Sequence, residues 1–95
     1  MPTYETIFAL PSVISEEEQS QSVKEIEELI GGFGGNITLS EDMGEKRMAY
    51  KVRGYERAFY HIIKFDSPPE SIEGFKRFYK INGGKYIRNM IVRTE

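Results

Sequence analysis

The sequence Gly44-Glu45-Lys46-Arg47-Met48-Ala49-Tyr50 lies near the middle of the 95-residue chain, between two runs of alternating apolar and polar residues. Residues 36–40 alternate on its N-terminal side, and Ala58 to Phe65 alternates on its C-terminal side. A period of two is typical of half-buried strands, and the pair Met43-Gly44 indicates a bend or bulge. The stretch therefore predicts a long β-hairpin, with its tip at Gly54-Tyr55-Glu56-Arg57.

A strand and a helix are predicted before the hairpin. Residues 4–10 form a short aromatic run closed by Pro11, which predicts a strand whose even-numbered side chains face the core. Ser15-Glu16-Glu17-Glu18 is a capping-box pattern, and apolar residues recur at three- and four-residue spacing from Val23 to Phe33. The glycine cluster at 31–35 follows this helix, whereas phosphate-binding loops precede one, so the cluster indicates a C-cap and turn.

A second helix and a last strand are predicted after the hairpin. Ser67-Pro68-Pro69-Glu70 is typical of a helix start, with Ser67 as the N-cap and proline in the first turn. Apolar residues from Ile72 to Tyr79 form its buried stripe, and Asn82-Gly83-Gly84 ends it. Residues 86–92 read as a strand with Tyr86 and the other even-numbered residues on one side.

The order of elements favours one compact plan. Two helices of this length on one face of a four-stranded antiparallel sheet give an α+β, ferredoxin-like βαββαβ fold, with residues 1–95 as a single domain. Right-handed crossovers place the first and third strands in the centre. The other face of the sheet is predicted to be open. It carries Ile7, Ala9, Arg47, Tyr60, Ile62 and Lys64.

Composition argues against catalysis and metal binding. The chain has no cysteine and one histidine, so thiolate sites and histidine clusters are excluded. His61 has the parity of a core-facing strand residue, and Glu16 to Glu18 is a helix start rather than an acid/base pair. We therefore predict no enzyme activity, no metal and no cofactor. No apolar run approaches the roughly 20 residues of a membrane span.

Basic residues are concentrated in the second half of the chain. The net charge is −2, but Lys24 is the only basic residue before Asp42, and twelve follow from Gly44 onward. On strands, such residues could contact RNA phosphates, or they could be ordinary solvated surface that protects sheet edges. The set on the predicted hairpin and last strand comprises Lys46, Arg47, Lys51, Arg53, Arg57, Arg88 and Arg93.

At these residues the chain resembles the bacterial small-subunit ribosomal protein S-six family. Gly44 to Val52 is similar to the family's Gly-x-Arg/Lys-x-Leu-Ala-Tyr-x-Ile signature, Tyr4-Glu5 to its opening strand, and Ile87 to Thr94 to its closing segment. The resemblance implies a structural, cytoplasmic constituent of the small ribosomal subunit. Such a protein would bind central-domain small-subunit rRNA together with ribosomal protein S-eighteen during platform assembly, and would be a monomer when free.

The predicted RNA-binding residues combine this resemblance with the basic set. Pro2 and Thr3 stand where the family usually carries a basic arm, which leaves the strands as the expected contacts. The alternative is a small-molecule-binding regulatory domain of the ferredoxin-like type, acting as a dimer through the open face. The residues expected to bind RNA are Tyr4, Lys46, Arg47, Lys51, Arg53, Arg88 and Arg93.

Overall fold

The computed structural model describes residues 1–94 and has the predicted order of elements. The elements are β1 (Thr3–Pro11), α1 (Glu16–Gly32), β2 (Asn36–Val52), β3 (Tyr55–Asp66), α2 (Ile72–Ile81) and β4 (Arg88–Arg93). The four strands form one antiparallel sheet in the order β2-β3-β1-β4, which confirms the ferredoxin-like fold and the central position of β1 and β3.

The core lies between one face of the sheet and both helices. As predicted, the even-numbered residues of β1 point into it, and Phe8 and Thr6 are fully buried. Each large apolar side chain buried here contributes about 1.5–3 kcal/mol to folding. The buried members of this cluster are Tyr4, Phe8, Leu10, Ile26, Ile30, Ile63, Phe65, Phe75, Tyr79 and Tyr86.

Both ends of α1 are capped by the residues that the sequence predicts. The Ser15 hydroxyl accepts a hydrogen bond from the backbone N–H of Glu18 at 3.1 Å. At the other end Gly34 adopts a positive φ of 80°, which glycine tolerates without a steric cost. The N–H of Gly35 then donates to the carbonyl of Ile30 at 2.9 Å, closing a Schellman motif. The glycine cluster is therefore a helix terminus.

The start of α2 differs from the prediction. Ser67 is buried and does not cap the helix, because its hydroxyl lies 2.7 Å from the hydroxyl of Ser71. Ser71 in turn donates to the carbonyl of Pro68 at 2.6 Å. The chain passes through a 3-10 turn at Pro69–Ser71 before α2 begins at Ile72. The predicted N-cap at Ser67 is therefore wrong, since the Ser67 hydroxyl is hydrogen-bonded to Ser71 inside the turn.

The last strand begins two residues later than predicted, and Tyr86 lies outside it. Tyr86 is fully buried among the helices, with its ring 5.5 Å from that of Phe8. Its hydroxyl lies 2.8 Å from the carbonyl of Ser22 and 2.9 Å from Oε1 of Glu25, and donates its proton to this pair. Burial, and then the Glu25 carboxylate, raises the pKa of Tyr86, so it stays protonated. It does not share a face with Arg88.

β2 contains a bulge that the sequence did not predict. Ile37 pairs with Phe65 and Leu39 pairs with Lys64, so Thr38 is an extra residue in β2. Directly paired residues share a face, and each bulge exchanges the faces of the residues that follow it. Ile37 therefore packs on the core, whereas Leu39 lies on the open face and is 36% exposed.

The tip of the hairpin is shorter than predicted. Val52 pairs with Tyr55, so the turn consists of Arg53 and Gly54 alone, with φ of 51° and 84°. Two positive φ angles are those of a type I′ turn, whose twist matches that of the strands. The predicted tip at 54–57 is wrong because β3 already begins at Tyr55.

Candidate RNA-binding surface

The end of the β2–β3 hairpin bends across the end of the sheet. Between the pairs Arg47–Arg57 and Val52–Tyr55, four residues of β2 stand opposite a single residue of β3. This excess lets β2 depart from regular pairing at Met48. The hairpin end can therefore fold towards β1 and the start of β4 instead of continuing straight into solvent.

Met48 holds the bent hairpin in place. Its side chain is 5% exposed and packs in a second apolar cluster with Ala9, Ala58 and Ile87. Ala58 pairs with Pro11 at the end of β1, and Ile87 directly precedes β4. The cluster thus joins the hairpin to two other parts of the sheet and positions the charged residues around it.

Cations outnumber carboxylates threefold at this end of the sheet. We call residues 45–57 together with Arg88 the basic hairpin end; it has six basic residues and two acidic ones, for a net charge of +4. Two ion pairs use part of this charge: Lys51 lies 3.9 Å from Glu56, and Arg57 lies 3.6 Å from Glu45. Within residues 1–94, four of its cations have no carboxylate partner. They are Lys46, Arg47, Arg53 and Arg88.

These cations do not all lie on one face. Lys46 pairs with Ala58 and Arg88 with Ala9, which places both on the open face. Arg47 pairs with Arg57 and lies on the opposite side, so its predicted position on the open face is wrong. The prediction assumed a single bulge in β2, at Met43-Gly44, and that bulge is present. The second bulge at Thr38 exchanges the faces once more.

Arg53 occupies a strained position at the tip. Its φ of 51° lies in the left-handed region, which a non-glycine residue adopts at a cost of order 1 kcal/mol. A Cβ added at Gly83 would lie 3.3 Å from Nη2 of Arg53, so the guanidinium rests against the loop between α2 and β4. The close approach brings the tip beside the segment that leads into Arg88.

Tyr50 is a member of this surface that the sequence analysis missed. It is 67% exposed, and Cζ of Arg88 lies 5.7 Å from the centre of its ring. This separation is within the range of a cation–π interaction. The sequence does show an aromatic residue between the basic residues Arg47 and Lys51, which could have indicated a nucleic-acid contact. The contact of Tyr50 with Arg88, however, depends on the bend of the hairpin.

Tyr4 and Arg93 lie at the other end of the sheet. They pair with each other across β1 and β4, and Tyr4 is 5% exposed with its ring 5.8 Å from that of Phe65. Arg93 is five residues further along β4 than Arg88, a distance of roughly 17 Å along the strand. The seven predicted residues thus form two groups, with Lys46, Arg47, Lys51, Arg53 and Arg88 in the larger one.

His61 is packed against the core rather than placed for chemistry. Its ring lies 5.5 Å from that of Phe8, and Nε2 lies 2.9 Å from the hydroxyl of Ser40. Among residues 1–94 no group of three or more side chains is arranged to hold a metal ion. Burial lowers the pKa of His61, although the carboxylates of Asp42, Glu27 and Glu41 act in the opposite direction.

This lowered pKa predicts a pH dependence of stability. Between the folded-state pKa and the unfolded value of about 6.5, the unfolded chain binds the extra proton, so stability falls as pH decreases. We expect the free energy of unfolding to drop more between about pH 8 and pH 5 in the wild type than in His61→Gln. Urea denaturation at both pH values measures this difference. Equal drops would show that His61 titrates alike in both states.

Comparison with known proteins identifies the family of this chain. A model of the family described as "Ribosomal protein S6" matches residues 3–93. The chain belongs to the ribosomal protein S6 family. Membership makes it a ribosomal protein of the small subunit, as predicted, and places it in the cytoplasmic ribosome. Neither helix described within residues 1–94 combines the length and the apolar composition that a membrane-spanning helix needs.

Relatives and a solved structure cover the chain to different extents. The small ribosomal subunit protein bS6 of Caldanaerobacter subterraneus is 30% identical over 95 residues, which span 100% of this chain and 99% of that protein. The bS6 of Nitratiruptor sp. is 36% identical over 81 residues, or 85% of this chain and 63% of that protein. The crystal structure of 30S ribosomal protein S6 from Thermotoga maritima has a TM-score of 0.91 and 25% identity, covering 97% of this chain and 86% of that chain.

Proposed function

We propose that this protein is a non-catalytic, structural constituent of the small ribosomal subunit. It binds central-domain small-subunit rRNA together with ribosomal protein S-eighteen during platform assembly. Residues 1–95 act as one domain that is monomeric when free. The observation that carries the proposal is a set of four cations at the basic hairpin end that have no carboxylate partner among residues 1–94, in a chain of this family.

The distribution of charge supports one direction of approach for the RNA. The basic hairpin end carries a net charge of +4, whereas α1 has six glutamates and one lysine. Phosphates are attracted to the first and repelled by the second, so the RNA docks at the hairpin end and away from the exposed side of α1. Arg47, Arg53, Arg88 and Lys46 contact phosphates there, with Lys51 shared between RNA and Glu56.

Exposed apolar residues on the open face support a protein partner. Leu39, Met90 and Val92 are 36%, 51% and 42% exposed, and Ile7 and Ile62 pair with each other beside Met90. The apolar row formed by Met90, Ile7 and Ile62 is bordered by Glu5 and Lys64. Exposed apolar residues bordered by charged ones are typical of an interaction site. Ribosomal protein S-eighteen covers these apolar residues, and the partner supplies the cations that a chain of net charge −2 lacks.

Tyr4 and Arg93 form a second, smaller contact in this proposal. Because Tyr4 is 5% exposed, it positions Arg93 across the strand pair rather than stacking on a base. Arg93 lies on the outer strand β4, where a phosphate of a second RNA segment can reach it.

A filter-retention assay with central-domain rRNA tests the proposal. The chain alone is expected to bind weakly, because it presents few cations, and the chain with S-eighteen is expected to bind strongly and in a salt-sensitive way. Arg47→Ala and Arg88→Ala each weaken assembly by about 1 kcal/mol or less, since phosphate contacts are distributed. Arg77→Ala on the exposed surface of α2 is the matched control.

Two outcomes of this assay would contradict the proposal. If both proteins together failed to retain the rRNA at low salt, the assembly function would be wrong. If the double variant of Arg47 and Arg88 assembled like the wild type, the basic hairpin end would not be the contact.

The regulatory alternative uses the same apolar face in a different way. A second copy of the chain would cover Leu39, Met90 and Val92, and a small metabolite would bind the dimer. Sedimentation of the free chain as a dimer, together with a metabolite that raises its melting temperature, would favour this alternative.

A further inference from the structure

Tyr50 has the properties of a stacking platform. Its side chain is 67% exposed, whereas that of Met48, two residues earlier in the same bend of β2, is 5% exposed. The guanidinium of Arg88, 5.7 Å from the ring centre, holds the ring from one side. A ring held in this way loses little conformational entropy when a flat ligand stacks on it.

We propose that Tyr50 stacks on an unpaired base of the RNA that docks at the basic hairpin end. The inference rests on the proposed function and adds a contact of a different chemical kind. Cations at this surface bind phosphates, whereas an exposed aromatic ring binds the π-face of a base that has left its helix. Arg88 serves both, since it braces the ring and remains without a carboxylate partner within residues 1–94.

The surroundings of Tyr50 favour a base over a protein side chain. The residue packed against the ring is a cation, and Lys51 and Arg53 follow closely in the chain. The exposed apolar residues suited to a protein partner, namely Leu39, Met90 and Val92, lie outside the basic hairpin end. An exposed aromatic ring set among cations is the arrangement in which single-stranded nucleic acid is bound.

The test measures binding to central-domain rRNA, in the presence of ribosomal protein S-eighteen, over a range of salt concentrations. Tyr50→Leu and Tyr50→Ala are expected to weaken binding by about 5- to 150-fold, and Tyr50→Phe, which keeps the ring, by less than about twofold. The slope of log Kd against log salt stays that of the wild type in all three, because no phosphate contact is lost. Val13→Ala, at an exposed apolar residue outside the hairpin, is the control.

Each other result overturns the inference. Wild-type affinity of Tyr50→Ala, or equal losses in Tyr50→Phe and Tyr50→Leu, would exclude stacking. A slope reduced by about one would show that the ring acts only through Arg88 and a phosphate. Weaker binding to S-eighteen in the absence of RNA would make Tyr50 a protein contact. These results leave the proposed function intact, whereas failure of the wild type to bind rRNA would overturn both.

Discussion

Replacing Phe8 with alanine is expected to lower the free energy of unfolding by about 3–5 kcal/mol, the range for large aromatic residues removed from a core. Phe8 is fully buried on the central strand β1, and its ring contacts those of His61 and Tyr86, each at 5.5 Å. The side chain thus packs against the neighbouring strand β3 and against the segment before β4. Urea denaturation monitored by circular dichroism measures the loss.

Two control variants test whether this loss of stability comes from the position of Phe8 in the core. Ile7→Ala changes the adjacent residue, which lies on the open face and is half-buried, so its cost is expected to be smaller. Phe8→Leu keeps part of the apolar volume and should fall between the wild type and Phe8→Ala. A loss in Phe8→Ala no greater than that in Ile7→Ala would contradict the position of Phe8 at the centre of the core.

Replacing Met48 with alanine is expected to reduce stability by about 2–5 kcal/mol and also to weaken rRNA assembly, although it removes no charge. Met48 fills the cluster with Ala9, Ala58 and Ile87, and two of these neighbours are alanines that cannot expand into a cavity. Without it the bent hairpin loses its attachment, and Arg53 and Arg88 are no longer held in one arrangement. Denaturation and filter retention measure the two effects.

Met43→Ala is the matched control, because Met43 is 37% exposed at the bulge of the same strand. It should leave both stability and assembly near those of the wild type. If Met48→Ala destabilised the protein and yet assembled normally under conditions where it is folded, the bend of the hairpin would not be needed for RNA binding.

Local patterns in the sequence were sufficient for most of the fold. Alternation in residues 4–10 predicted a strand and its core-facing side, and the capping box at Ser15 predicted the start of a helix, because both signals come from neighbouring residues. The errors arose where a local signal competed with burial. Ser67 has the composition of an N-cap but is enclosed by a turn, and Tyr86 alternates like a strand residue but enters the core.

The candidate surface was predictable in its composition and not in its arrangement. Lys46, Arg47 and Arg88 could be selected from the sequence because they are basic and belong to predicted strands. Which of Lys46 and Arg47 lies on the open face depends on how many bulges β2 contains, and the bulge at Thr38 is defined only by its pairing with β3. A backbone hydrogen-bond register is a property of two strands together.

The sequence by itself thus determined the βαββαβ order, the core-facing residues of β1 and the family, through signals that span fewer than about ten residues each. Only the tertiary structure decided that the hairpin bends, that Met48 anchors it and that Tyr50 meets Arg88. The physical reason is that these contacts join residues about forty positions apart, and such contacts form only when the strands between them pair and pack. The stretch from Gly44 to Tyr50 supplies both the charges and the anchor.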